Sequence, residues 1–118
     1  MVLIVDDDPA IRMLCRVNLE LDGHRAVEAA TIDEARAAFA ADAVDVVLLD
    51  VHVGSGDGLA LLRELRRDRP ALPVALLSGT ADPDVVSDAR PDAVIGKPFE
   101  LSDLRDTVER LGRGRQAL

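Results

Sequence analysis

The sequence predicts a doubly wound α/β domain, a parallel sheet with helices on both faces, and three observations point to it. Short β-branched runs alternate with amphipathic stretches along the whole chain. The run Val46-Val47-Leu48-Leu49 is apolar without alternation, as expected of a central strand covered on both sides. Turn and capping residues follow the runs at once, beginning with Asp6-Asp7-Asp8 after Val2–Val5.

The elements follow in order. Val2–Asp6 reads as the first strand. Asp8-Pro9 supplies an N-cap and an N1 proline to a helix with Ile11, Leu14 and Cys15 on its apolar face, stopped by Gly23. His24–Ala29 is a weak second strand. Thr31-Ile32-Asp33-Glu34 fits a capping box, and Ala35, Ala38 and Phe39 form the buried stripe of the second helix. Val44–Asp50 is the third strand, Gly54–Gly58 a loop, and Leu59–Asp68 a helix with Leu59, Leu62 and Leu65 inward. Val74–Leu77 is the fourth strand. Asp82-Pro83 opens a short fourth helix that Pro91 must end. Ala93–Gly96 is the fifth strand, and Glu100–Leu111 the last helix, ended by Gly112 and Gly114. The reading gives one domain over 1–112 and a tail or linker stump over 113–118.

Bulk composition narrows the function. The 118 residues are 48% hydrophobic, enough to bury a core, and 31% charged. A net charge of −8, with Lys97 the only lysine, disfavours binding to a phosphate backbone. With a single cysteine, Cys15, no internal disulfide or cysteine-built zinc site is possible, and its apolar neighbours suggest a buried thiol. Only Phe39 and Phe99 are aromatic, so base-stacking platforms have little to be made of. No apolar run approaches the ~20 residues of a membrane span. A cytoplasmic protein is expected, without membrane partners.

In open parallel sheets, ligands sit outside the carboxyl ends of the strands. The residues there are Asp6 and Asp7, Asp50, Ser78, and Lys97. Crowded carboxylates repel unless a cation joins them, and Mg²⁺ suits a few carboxylates with waters and phosphoryl oxygens. Asp50 is a candidate nucleophile toward phosphorus, with Lys97 and the Ser78 hydroxyl binding phosphoryl oxygens.

Val5-Asp6-Asp7-Asp8, Leu48-Leu49-Asp50-Val51, Gly56-Asp57-Gly58, Leu77-Ser78-Gly79 and Gly96-Lys97-Pro98-Phe99 resemble, in order and near-family spacing, the motifs of response-regulator receiver domains. The resemblance spans nearly the whole chain. It implies a flavodoxin-like (βα)5 three-layer sandwich with strand order 2-1-3-4-5. It implies Asp50 as phosphoacceptor, served by Lys97 and Ser78, taking its phosphoryl group from a histidine kinase or phosphotransfer protein. It further implies Mg²⁺ held by Asp7, Asp50, the His52 carbonyl and, through water, Asp6. His52 and Thr80 fall at positions that tune dephosphorylation, and the Lys97–Pro98 bond is expected to be cis. The output is expected through an unknown partner or fused effector domain, or through a homodimer at the face of the fourth helix, fifth strand and fifth helix.

Three features depart from the family pattern. Gly54 replaces the usual proline, which should loosen the loop after Asp50. Val94 stands at the aromatic switch position, three before Lys97. Ser78 and Lys97 are only 19 apart, so the fourth helix should be short, and the signal is expected to pass through that segment. Two other functions compete. A phosphatase with an Asp nucleophile of the haloacid-dehalogenase type needs an acid two residues on, where this chain has His52, so turnover of external substrates is not expected. A pseudo-receiver would have no use for the complete acidic and lysine set. Gly54-Ser55-Gly56-Asp57-Gly58 lacks the ending of a phosphate-binding P-loop and reads as a flexible loop with Asp57-Gly58 setting up the third helix, and Arg63, Arg66, Arg67 and Arg69 read as a solvated basic face.

Overall fold

A computed structural model describes residues 1–41, 43–54, 56–79 and 88–116, with side chains up to residue 112. The main sheet is built from β1 (Val2–Val5), β2 (Ala26–Ala29), β3 (Val46–Asp50), β6 (Val74–Ser78) and β7 (Ala93–Gly96). Among the described residues, the longer helices are α1 (Pro9–Leu21), α2 (Ile32–Ala41), α3 (Gly58–Asp68) and α4 (Leu101–Gln116). The five strands pair in parallel in the order β2-β1-β3-β6-β7, which is the expected 2-1-3-4-5 once the short ribbon β4–β5 (His52–Val53 and Gly56–Asp57) is set aside. The predicted fourth helix falls mostly on residues 80–87, outside the described residues, as does Thr80.

Strand periodicity divides the core. Leu3, Val5, Val47, Leu49, Val74 and Leu76 point to one side and pack with Ala35, Phe39, Leu62 and Leu65 of α2 and α3. Val2, Ile4, Val46, Leu48, Ala75, Leu77 and Ile95 point to the other and pack with Cys15, Leu19, Leu104 and Val108 of α1 and α4. Both faces of β1 and β3 are therefore dry, which explains their unbroken apolar runs.

Local chemistry sets the element ends. Asp8 caps α1 by accepting from the Ala10 N–H, and Gly23 follows the helix at φ +90°. Thr31 Oγ1 accepts from the Glu34 N–H at 3.0 Å, the main bond of the expected capping box. Asp57 caps α3, accepting from the Leu59 and Ala60 N–H groups.

Four expectations need correction. Leu14 is 45% exposed rather than inward, because α1 turns its Cys15–Leu19 side to the sheet. The loop after Asp50 contains the antiparallel ribbon β4–β5, turned by Gly54 at φ +61°, a value closed to proline, whose ring holds φ near −65°. The last helix does not stop at Gly112. It runs to Gln116, since an interior glycine costs only about 1 kcal/mol relative to alanine, so the expected tail begins as helix. Finally, the arginine run is not uniformly a solvated face. Arg66 donates to the carbonyls of Leu72 and Arg90, both at 2.7 Å, and pairs with Asp92. Arg69 donates to the Phe39 carbonyl and lies over its ring.

Candidate functional site

Each expected strand end arrives on one rim. β1 ends in Asp6 and Asp7, β3 in Asp50, and β6 in Ser78; Lys97 follows β7. The ladder holds these ends in step, since Val5 pairs with Leu49, Asp50 with Leu77, and Ser78 with Gly96. The Lys97–Pro98 bond is cis, as expected.

The side chains converge. Carboxylate oxygens of Asp6, Asp7 and Asp50 all lie within 4.8 Å of one another. Lys97 Nζ sits 2.8 Å from Asp6 Oδ2 and 3.4 Å from Asp50 Oδ1. The three acids differ in setting: Asp6 is fully buried, Asp50 is 9% exposed, and Asp7 is exposed. Asp6 is also held by the Asp8 N–H, which donates to its Oδ1 at 2.9 Å.

Burial and the neighbouring Asp6 charge raise the Asp50 pKa, against the lowering pull of Lys97 and the His52 backbone N–H. Burial works against the Lys97 charge, but its hydrogen bond to Asp6 and the charges of Asp6 and Asp50 outweigh it and raise that pKa. Three acids facing one lysine leave an excess of negative charge. The donor set is all oxygen, so the cluster fits a hard divalent cation such as Mg²⁺.

Two residues matter more here than the sequence suggested. Gly58 marks the start of a helix, but a Cβ at that position would stand 2.0 Å from the Asp50 carbonyl oxygen. Its N–H donates to the Val51 carbonyl at 2.8 Å, so the backbone of α3 is seated directly on the end of β3. Arg12 donates to the Asp6 carbonyl at 2.6 Å, a contact with no sequence signal, since a helical arginine usually reads as a solvated charge. The His52 side chain is exposed, and Val94, at the expected switch position, is 52% exposed.

The response regulator receiver domain family matches residues 2–109. The Escherichia coli KDP operon transcriptional regulatory protein KdpE is 37% identical over 107 residues, covering 88% of this chain and 47% of that protein. Response regulator MprA of Mycolicibacterium vanbaalenii is 37% identical over 118 residues, 95% of this chain and 50% of that protein. The chain thus spans about half the length of these relatives. Among solved structures, the receiver domain of NtrX from Brucella abortus superposes with a TM-score of 0.88 at 34% identity, covering 96% of this chain and 98% of that one. A CheY-like receiver domain protein from Methanospirillum hungatei gives 0.91 at 28% identity, covering 98% and 95%. Parallel order, strand-end acids, lysine and family match agree: the chain belongs to the response-regulator receiver domain family of two-component signalling.

Proposed function

We propose that Asp50 is the phosphoacceptor of this receiver and that its own rim catalyses the transfer. The observation that carries this reading is the convergence of Asp6, Asp7 and Asp50 with the chain's only lysine at the sheet's carboxyl edge. Asp7 and Asp50, the His52 carbonyl and, through water, Asp6 would hold Mg²⁺. Bound there, the ion neutralises charge on the phosphoryl oxygens.

The donor is a phosphohistidine of a kinase or phosphotransfer protein. An Asp50 oxygen attacks phosphorus, the new O–P bond forms as the P–N bond breaks, and the imidazole nitrogen keeps the electron pair. Lys97, already 3.4 Å from Asp50, neutralises one oxygen of the incoming group. The Ser78 hydroxyl, on the neighbouring strand one residue past the register partner of Asp50, serves another. Hydrolysis returns the free carboxylate slowly, tuned by His52 and Thr80. No turnover of an external substrate belongs to this reading.

An effector reads the result, either attached to this domain or separate from it. A second copy at the face of β7 and α4 is favoured by the exposure of Val94 on that edge strand. Sedimentation velocity with and without beryllofluoride checks this, with dimer expected only in its presence. The net charge of −8 argues against direct nucleic-acid binding by this domain. Among the described residues, no helix is long and apolar enough to cross a membrane.

Incubation with acetyl phosphate and Mg²⁺, followed by intact mass, tests the acceptor. One added phosphoryl group is expected, and none in Asp50→Asn. No gain in the unsubstituted chain would favour a pseudo-receiver. Steady phosphate release from a generic phosphoester would favour a phosphatase.

A further inference from the structure

We propose that Arg12 is a positioning residue for the acidic rim, aiming Asp7 by gripping the peptide that joins it to Asp6. The inference rests on the metal-binding role proposed for Asp6, Asp7 and Asp50. Its ground is a contact one helical turn into α1. Arg12 donates from one terminal nitrogen to the Asp6 carbonyl at 2.6 Å and from Nε to Glu28 Oε1 at 3.2 Å. The Arg12 side chain is only 14% exposed. Glu28 belongs to β2, and its other oxygen accepts from Arg16 Nε at 2.6 Å. The arginine is therefore fixed from behind before it reaches the rim.

The Asp6 carbonyl needs such a donor. The Asp6 N–H still bonds the Ala29 carbonyl at 3.1 Å, but β2 ends at Ala29 and the chain turns toward α2. The Asp6 carbonyl thus lies beyond the ladder, and Arg12 supplies its hydrogen bond. Because a peptide unit is planar, holding that oxygen also sets the plane of the Asp7 N–H and Cα. On the other side of Asp7, the Asp8 N–H is pinned to Asp6 Oδ1. Asp7, the exposed member of the acid cluster, is aimed by backbone fixed before and after it.

This differs from a role in anchoring α1 to the sheet. Arg16 also ties α1 to Glu28 but is not the donor to the rim. The two arginines can therefore be separated by experiment.

The test is calorimetric titration of Mg²⁺ into the folded chain, with metal-free amide spectra of each variant. Arg12→Gln is expected to raise the Mg²⁺ Kd about tenfold, as loss of an outer support of a metal ligand does. It should also shift the Asp7 and Asp8 amide resonances before metal is added. Arg12→Lys, which keeps the charge but spans only one acceptor, should fall between, and it carries the comparison if Arg12→Gln does not fold. Arg16→Gln, which leaves the Arg12 contacts to Glu28 and Asp6 in place, should change both readouts far less. An unchanged Kd in both Arg12 variants, or an equal loss in Arg16→Gln, would overturn the proposal. If the unsubstituted chain binds no Mg²⁺, the proposed metal site fails. The amide shifts then decide the positioning role alone: still Asp7 and Asp8 resonances in Arg12→Gln would overturn it.

Discussion

Asp50 is 9% exposed beside the fully buried Asp6, and the same lysine serves both. Its pKa is raised, first by burial and then by Asp6, so its folded value lies above its unfolded one. Such a group stabilises the fold fully below the unfolded carboxylate value, and that stability is lost as pH rises through the folded value. Asp50→Asn removes the loss while Lys97 keeps Asp6 at 2.8 Å. Without Mg²⁺, Asp50→Asn should melt higher than the unsubstituted chain near pH 7. The gap should close toward pH 4; calorimetry across that range checks it, and a constant gap would contradict the electrostatic cause. Gly58 acts at the same scale. Its missing Cβ leaves room for the Asp50 carbonyl, so Gly58→Ala should cost about 2–3 kcal/mol in urea denaturation. That requirement is hidden in sequence, where Asp57-Gly58 reads equally well as an ordinary helix start.

At the scale of elements, most of the fold was legible. Alternation between short β-branched runs and amphipathic stretches of helical spacing located every strand of the main sheet and α1, α2, α3 and α4, with ends displaced by a few residues. The misses have particular causes. Gly112 looked like a helix stop, yet α4 passes it, and a Cβ there meets nothing within 4 Å. Gly112→Ala should therefore stabilise the domain by about 0.5–1 kcal/mol, read from the shift of the urea midpoint. The arginine run on α3 reads as a solvated face because composition cannot tell a solvated guanidinium from one folded onto carbonyls. Arg66 joins α3 to the Leu72 loop and to the segment entering β7, where Arg90 sits at φ +57°. Removing it takes the donor from the half-buried Leu72 carbonyl and from the more exposed Arg90 carbonyl, while Asp92 keeps the Val74 N–H, so Arg66→Ala should cost about 1–3 kcal/mol. Arg67→Ala, on an exposed side chain, should stay within about 0.5 kcal/mol. Equal effects in the two would mean that the Arg66 contacts carry no net stability.

At the scale of the whole molecule, the site and the core depend on one another. The sheet buries both faces against two helix layers, and its carboxyl edge must then carry whatever charge the strand ends bring. A cation bound only by the folded chain shifts the folding equilibrium, by about 1.4 kcal/mol at ten times its dissociation constant. Added Mg²⁺ should therefore raise the melting temperature of the unsubstituted chain and leave that of Asp7→Ala nearly unchanged. A rise of equal size in both would mean that Asp7 is not part of the binding set.

The sequence by itself determined the layered parallel fold, the strand-end set Asp6, Asp7, Asp50, Ser78 and Lys97, and the capping of α1, α2 and α3. These follow from periodicity and from residue types acting on their near neighbours, so a linear pattern is enough to read them. Tertiary structure alone decided that Lys97 lies closer to Asp6 than to Asp50, that Gly58 is seated on the Asp50 carbonyl, and that Arg12 rather than a neighbouring strand serves the Asp6 carbonyl just past β1. Those contacts join residues that are distant in sequence or lie on different elements. They depend on register, strand length and the direction in which each helix crosses the sheet, none of which local pattern encodes.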